Sequence, residues 1–104
     1  MKASAIINGK KYSTETADLL ADKVFDSDDN KGRHFSESLY LKITGEYFLL
    51  GVGGCDSKYS RRVGPDQWAA GKWIMPLSEM DARLWAEKAM SVAEYEHRFG
   101  EVPE

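Results

Sequence analysis

The stretch from residue 35 to residue 52, FSESLYLKITGEYFLLGV, decides the fold. Apolar and polar side chains alternate along its first half, which is typical of a strand with one buried face. Gly45-Glu46 can form a two-residue type II′ turn, in which glycine comes first. That turn predicts three apolar pairs on one face: Ile43 opposite Phe48, Leu41 opposite Leu50, and Leu39 opposite Val52. A slip of one residue would destroy the match, so we expect an antiparallel hairpin over residues 35–52 in this register.

The segment before the hairpin predicts a strand, a turn and a helix. Asn8-Gly9 lies between short β-prone pieces and favours a tight turn after an N-terminal strand. Ser13 can cap a helix, and the apolar residues after it recur at i, i+3, i+4 and i+7. This spacing predicts a helix over about residues 14–25.

The segment after the hairpin predicts a strand and a second helix. Residues 53–71 contain four glycines and scattered charges, and they read as a long connection. Residues 72–77 are a strand candidate, and residues 79–99 follow as a helix that bends near Ser91. The expected fold class is α+β, a small antiparallel sheet packed by two helices in one domain over residues 1–104.

Composition and charge limit the functional classes to which the chain can belong. The 104 residues are 42% apolar, enough for a core without disulfides or metal, and Cys55 is the single cysteine. The net charge is −3, divided into −2 over residues 1–30, +3 over residues 31–72 and −4 over residues 73–104. This balance lacks the strongly basic profile of an ordinary nucleic-acid-binding protein. We find no segment for insertion into a membrane, and we expect a cytoplasmic protein.

Several motifs resemble catalytic or metal sites, but each departs from the pattern. Asp26, Asp28, Asn30 and Glu37 match positions of a calcium loop, yet Lys31 stands where the turn requires glycine. The glycines of residues 51–54 lack the rest of a phosphate-binding motif, and they are better explained by a close neighbour of the strand. No cofactor or metal is therefore expected, and an enzyme that uses Cys55 is the weakest of the functional hypotheses.

Basic and aromatic residues alternate after the hairpin and form the best polar candidate surface. They are Lys58, Tyr59, Arg61, Arg62 and Trp68. Positive charge with aromatic rings is the combination that binds phosphates and stacks bases, although a charged loop is also ordinary at a protein surface.

Met80 and Leu84 form an apolar pair on the charged side of the second predicted helix. Exposed apolar pairs can mark a partner surface. The alternative is that another part of the chain covers them, and periodicity alone does not decide between the two.

Short strings across nearly the whole chain resemble a family of small uncharacterised proteins carried by plasmids, conjugative elements and phages of Gram-positive gut bacteria. Residues 26–34 do not take part in the resemblance. The strings include Asn8-Gly9-Lys10, Thr14-Glu15-Thr16-Ala17, Thr44-Gly45-Glu46-Tyr47-Phe48-Leu49, Ser57-Lys58-Tyr59, Pro76-Leu77-Ser78, Trp85-Ala86-Glu87 and Phe99-Gly100.

The resemblance implies a context, because small accessory proteins of such elements often block host defences, anti-CRISPR proteins among them. We therefore expect a non-enzymatic inhibitor that binds a host protein complex, such as a CRISPR effector, through residues 57–62 and the helix over residues 79–90. The alternative is a small nucleic-acid-binding accessory factor that uses the basic loop.

Overall fold

The computed structural model describes residues 2–25 and 31–104 of the chain. Along these residues it contains eight strands, two helices and a short 3-10 helix at Lys31–Arg33. The strands are β1 (Ser4–Ile7), β2 (Lys10–Ser13), β3 (Ala17–Phe25), β4 (Phe35–Lys42), β5 (Tyr47–Gly53), β6 (Arg61–Gly64), β7 (Gln67–Ala69) and β8 (Gly71–Leu77), and the helices are α1 (Glu79–Ala89) and α2 (Val92–Phe99).

The main sheet is antiparallel and has four strands in the order β3-β4-β5-β8. Two separate hairpins, β1–β2 and β6–β7, stand beside it. The predicted α+β class is therefore confirmed, together with the N-terminal strand and the strand near residues 72–77. The residues predicted as a long connection contain the β6–β7 hairpin.

The helix predicted over residues 14–25 is wrong, because the chain forms strand β3 from Ala17 to Phe25. A bulge between Leu19 and Ala21 interrupts the alternation of this strand, so that its apolar spacing imitates a helix. Pairing with β4 overrides the weak helical signal, since the strand gains a full ladder and a stacked ring pair, Phe25 on Phe35 at 4.5 Å.

The predicted hairpin exists, but its register is wrong by three residues. The loop comprises residues 43–45 and closes by a hydrogen bond from Lys42 N to Glu46 O of 2.8 Å, with Gly45 at φ 92°. The pairs are Leu39 with Leu49, Tyr40 with Phe48, and Leu41 with Tyr47. An odd shift turns β5 over, which places Leu50 and Val52 on the face opposite Leu39 and leaves Ile43 96% exposed.

Both faces of the sheet are covered by other parts of the chain. The central strands therefore carry apolar side chains on both faces, and the prediction of a single apolar face is wrong. On one face the β1–β2 hairpin contributes Tyr12 to a cluster with Tyr40, Phe48 and Leu50. On the other, which we call the helix face, Ala82 and Ala86 of α1 cover Leu39 and Leu49, and residues from both helices pack around them.

Three of the predicted turn and cap signals agree with the structure, whereas the helix cap at Ser13 and the two-residue turn at Gly45-Glu46 are wrong. Asn8 and Gly9 both have positive φ, as their two-residue turn requires. The Ser78 side chain accepts from Asp81 N at the start of α1. Ser91 and Glu94 form a capping box that starts α2, so the bend predicted near Ser91 divides two helices.

No helix within residues 2–25 and 31–104 is long and apolar enough to cross a membrane.

The register predicts a large loss of stability on truncation of one aliphatic residue and almost no change on truncation of another, four positions away. Leu39→Ala should lower the free energy of unfolding by about 2–5 kcal/mol, because Leu39 is fully buried beneath α1. Ile43→Ala should change it by less than about 0.5 kcal/mol, because Ile43 lies in solvent. Denaturant unfolding of both variants measures the difference, and the reverse order would contradict the register.

Candidate functional site

A buried carboxylate lies at the centre of the helix face. Glu37 of β4 is 5% exposed. Its Oε1 accepts from Trp85 Nε1 of α1 at 2.9 Å, and its Oε2 accepts from Lys58 Nζ at 3.0 Å and from the Tyr59 hydroxyl. Donors from two segments that are distant in sequence, the turn with Lys58 and Tyr59 and the helix with Trp85, therefore converge on the Glu37 side chain of β4.

The environment of Glu37 favours its ionised form. Burial by itself raises the pKa of the carboxyl, but the bonds from Tyr59, Trp85 and Lys58 outweigh it and hold the pKa below the ordinary value. Burial, followed by the bond to Glu37 and the charge of that carboxylate, raises the pKa of Tyr59 above its usual range. Tyr59 is thus a hydroxyl donor at every physiological pH.

Two residues predicted as contact residues belong to this network. Tyr59 is buried, because its ring lies directly on the backbone of Gly51, where a Cβ would overlap it. Tyr59 is therefore excluded from the exposed surface. The side chain of Lys58 is exposed, but its ammonium group is paired with Glu37 and lies 5.0 Å from the centroid of Phe35.

The glycines of the strand end have the structural role that the sequence indicates. A Cβ on Gly53 would overlap Ser57, and one on Gly54 would meet the backbone of Gly32. These close approaches seat the turn of residues 54–60 on the sheet. No ligand is needed to explain them.

The other predicted basic residues project from the β6–β7 hairpin, which we call the ribbon. Arg62 pairs with Trp68, so the two side chains share one face, whereas Arg61 pairs with Ala69 on the other. Arg61 Nε donates to Ala70 O at 3.4 Å and Arg62 Nε to Gly64 O at 3.3 Å. These bonds leave the terminal nitrogens of both guanidinium groups available, and neither arginine forms an ion pair with a carboxylate of the described residues.

Met80 and Leu84 lie on the outer side of α1, as an uncovered pair. Ala82 and Ala86 define the buried side of the helix, and Met80 and Leu84 are 72% and 51% exposed on the opposite side. No part of the chain within the described ranges covers them. Of the two alternatives left open by the periodicity, the structure supports an exposed apolar pair.

The helices and the ribbon lie at opposite ends of the strands of the main sheet. The helices cover the half of the sheet nearest the β4–β5 turn, where Leu39, Leu49 and Met75 meet, and the ribbon leaves from the opposite end. Residues 73–104, which hold both helices, carry −4, whereas residues 31–72 carry +3. The helical end is therefore acidic, and residues 54–72, which hold the turn, the ribbon and the start of β8 at the ribbon end, carry +2.

The groups that suggested a metal site do not assemble into one in the described residues. Cys55 is exposed. No three His, Cys, Asp or Glu side chains of residues 2–25 and 31–104 are placed to hold a metal ion. Asp26, Asp28 and Asn30 of the calcium-like loop lie outside the described residues, and Glu37 is occupied by protein donors.

Comparisons of the chain with protein-family models, with curated proteins and with solved structures find no match.

The sequence motifs do not indicate the roles of three residues of the candidate site, Glu37, Trp85 and Trp73. Glu37 was considered only as a calcium ligand, although a glutamate on the apolar side of an alternating strand indicates a buried, partnered carboxylate. Trp85 lies in the second predicted helix, and its indole N–H donates to Glu37. Trp73 is 54% exposed on the edge strand β8, which its place in a predicted strand did not reveal.

The lowered pKa of Glu37 predicts a loss of stability in acid. A carboxyl whose pKa lies below 4.5 in the folded protein binds protons more readily when the chain unfolds. Its stabilising effect is thus complete above pH 4.5 and declines as the pH falls through the folded-state pKa. The same sign holds for Glu46, whose bonds to Lys10, Lys42 and Thr44 lower its pKa to about 2.

Denaturant unfolding between about pH 5 and pH 2 measures this dependence. We expect the free energy of unfolding to fall with pH, and to fall less steeply in Glu37→Gln and in Glu46→Gln. A wild-type protein that becomes more stable as the pH drops from 5 to 3 would contradict the assigned protonation.

Proposed function

We propose that the protein is a non-catalytic binding protein that occupies the surface of a host protein complex inside the bacterial cell. The outer side of α1, around Met80 and Leu84, is its contact surface. Inhibition follows from occupancy, without turnover.

The observation that carries the proposal is the exposed apolar pair on a rigidly held helix. Ser78 caps α1, Ala82 and Ala86 anchor it to the sheet, and Trp85 bonds to Glu37. A helix held in this way loses little conformational entropy when it binds, so its apolar side chains can contribute most of their burial energy to affinity. Helices that enter grooves use i, i+4 anchors of this kind.

The charges around the pair favour a basic partner. On α1, near Met80 and Leu84, the three acidic residues outnumber the two basic ones, and the helical end as a whole is acidic. Arg83 is paired with Glu79 at 3.2 Å, which leaves Asp81, Glu87 and Lys88. Complementary charge speeds encounter and selects the partner. Complexes that handle nucleic acids carry basic grooves, because they must neutralise phosphates.

The identity of the partner rests on the resemblance described above. Accessory proteins of plasmids, conjugative elements and phages meet host defence complexes, and a CRISPR effector has the basic channel that an acidic helical end fits. We therefore propose a defence complex of this type as the target.

Stoichiometric inhibition is the expected result. Purified guide-loaded CRISPR effectors, titrated with the protein, should include one that loses cleavage activity near equimolar protein and co-elutes with it on gel filtration. Met80→Glu/Leu84→Glu should weaken the complex about tenfold or more, since buried anchors dominate interface energetics.

The matched control is Ile6→Glu/Val24→Glu, which places the same charges at two other exposed aliphatic residues and should bind as wild type. Both double variants should keep the wild-type melting temperature within a few degrees. The proposal fails if no effector is inhibited, if the two double variants bind alike, or if the protein inactivates a large molar excess of its target.

A further inference from the structure

We infer that the ribbon end of the molecule binds single-stranded nucleic acid. The surface comprises both faces of the ribbon, with Arg62 and Trp68 on one and Arg61 on the other, and it continues to Lys72 and Trp73 of β8. It lies apart from the outer side of α1, and it adds a second binding activity to the proposed function.

The two halves of this surface are joined at their bases. Gly71, the first residue of β8, packs so closely on the start of the ribbon that a Cβ there would overlap Tyr59 O and lie 3.4 Å from Arg61 N. Trp68 and Trp73 are five residues apart in the chain, so their Cα atoms are at most about 17 Å apart. Both indoles are 54% exposed.

Lysines lie near β8 on both faces of the sheet. A groove of about 550 Å³ between the N-terminal hairpin and β8 is lined by Lys2 and Lys72, by the carboxylate-bearing Glu15, and by Trp73. A smaller hollow of about 290 Å³ on the helix face is lined by Lys58 and Trp73, together with Tyr59 and Met75. Trp73 alternates with Ile74 and shares the helix face with Met75, so its side chain lies on the side of the Lys58 hollow, whereas Lys72 lies on the opposite face of β8.

The positive charges differ in how far other groups neutralise them. Lys2 lies 3.5 Å from Glu15, and Lys58 is paired with Glu37. Lys72 donates to the uncharged Lys2 O at 3.1 Å, and no carboxylate of the described residues pairs with it or with the two arginines. Lys72, Arg61 and Arg62 are therefore the three cations of this surface that no carboxylate of the described residues neutralises, and their charge is available to a ligand.

Exposed indoles beside unpaired cations fit a single strand better than the other polyanions. Phosphates bind arginine and lysine, and bases stack on aromatic faces, but only an unpaired strand offers both together. In a duplex the base faces are stacked on one another and are not accessible, and an acidic peptide offers no bases to stack on the two indoles. The acidic helical end repels a polyanion and directs it to the ribbon end.

The test uses a labelled oligothymidine of about ten nucleotides, a length within the site sizes of small single-strand-binding folds. We expect saturable binding in anisotropy at about 50 mM salt, and quenching of tryptophan fluorescence. Arg61→Gln/Arg62→Gln should reduce the slope of log affinity against log salt by about 1.4, since each phosphate contact to a single strand contributes about 0.7.

The tryptophan variants separate stacking from charge. Trp68→Ala and Trp73→Ala should each weaken binding at least about fivefold and leave the salt slope unchanged. Trp68→Phe keeps a ring, so its affinity for the oligonucleotide should lie between that of Trp68→Ala and that of the wild type. If Trp68→Ala unfolds the ribbon, Trp68→Phe replaces it as the test of stacking.

The matched control is Lys88→Gln/Arg98→Gln, which removes two positive charges from the helical end and should bind the oligonucleotide as wild type. Met80→Glu/Leu84→Glu should also bind it normally, so this test and that of the effector fail independently. The inference is overturned if binding is absent, if duplex or polyglutamate competes equally well, or if the ribbon variants bind like the control.

Discussion

An ionised carboxylate in a protein interior destabilises the fold unless donors satisfy it. Glu37 meets this condition only when three parts of the chain stand in their native places. Tyr59 and Lys58 reach it from the turn of residues 54–60, and Trp85 reaches it from α1. Removing any donor leaves the charge partly unpaired, so the sheet, the turn and the helix are coupled through one side chain.

This coupling orients both exposed surfaces. The ribbon begins at Arg61, directly after the turn that Tyr59 holds against Gly51, and Met80 and Leu84 stand on the helix that Trp85 ties to the sheet. The basic ribbon end and the acidic helical end therefore keep a fixed geometry. The two proposed contacts, of the helix with a protein groove and of the ribbon with a nucleic acid, therefore use separate surfaces.

Local signals predicted much of this arrangement, because turns and caps depend on nearby residues. Asn8-Gly9, Ser78 and the capping box at Ser91 all behave as their residue types require. The errors lie where distant contacts decide: pairing with β4 makes a strand of residues 17–25, and burial of both sheet faces moves the hairpin register. The site was half predictable, since Arg61, Arg62 and Trp68 project as expected while Tyr59 turns inward.

A double-mutant cycle between Glu37 and Trp85 tests the coupling most directly. Trp85→Phe removes the indole N–H and keeps a ring, whereas Glu37→Leu removes both carboxylate oxygens, so that no acceptor remains for the indole, and keeps a similar volume. Denaturant unfolding of the two single variants and the double variant yields the coupling free energy. We predict about 1–3 kcal/mol, the range of a hydrogen bond to a charged group. Effects that add to within about 0.3 kcal/mol would show that Glu37 does not join α1 to the sheet.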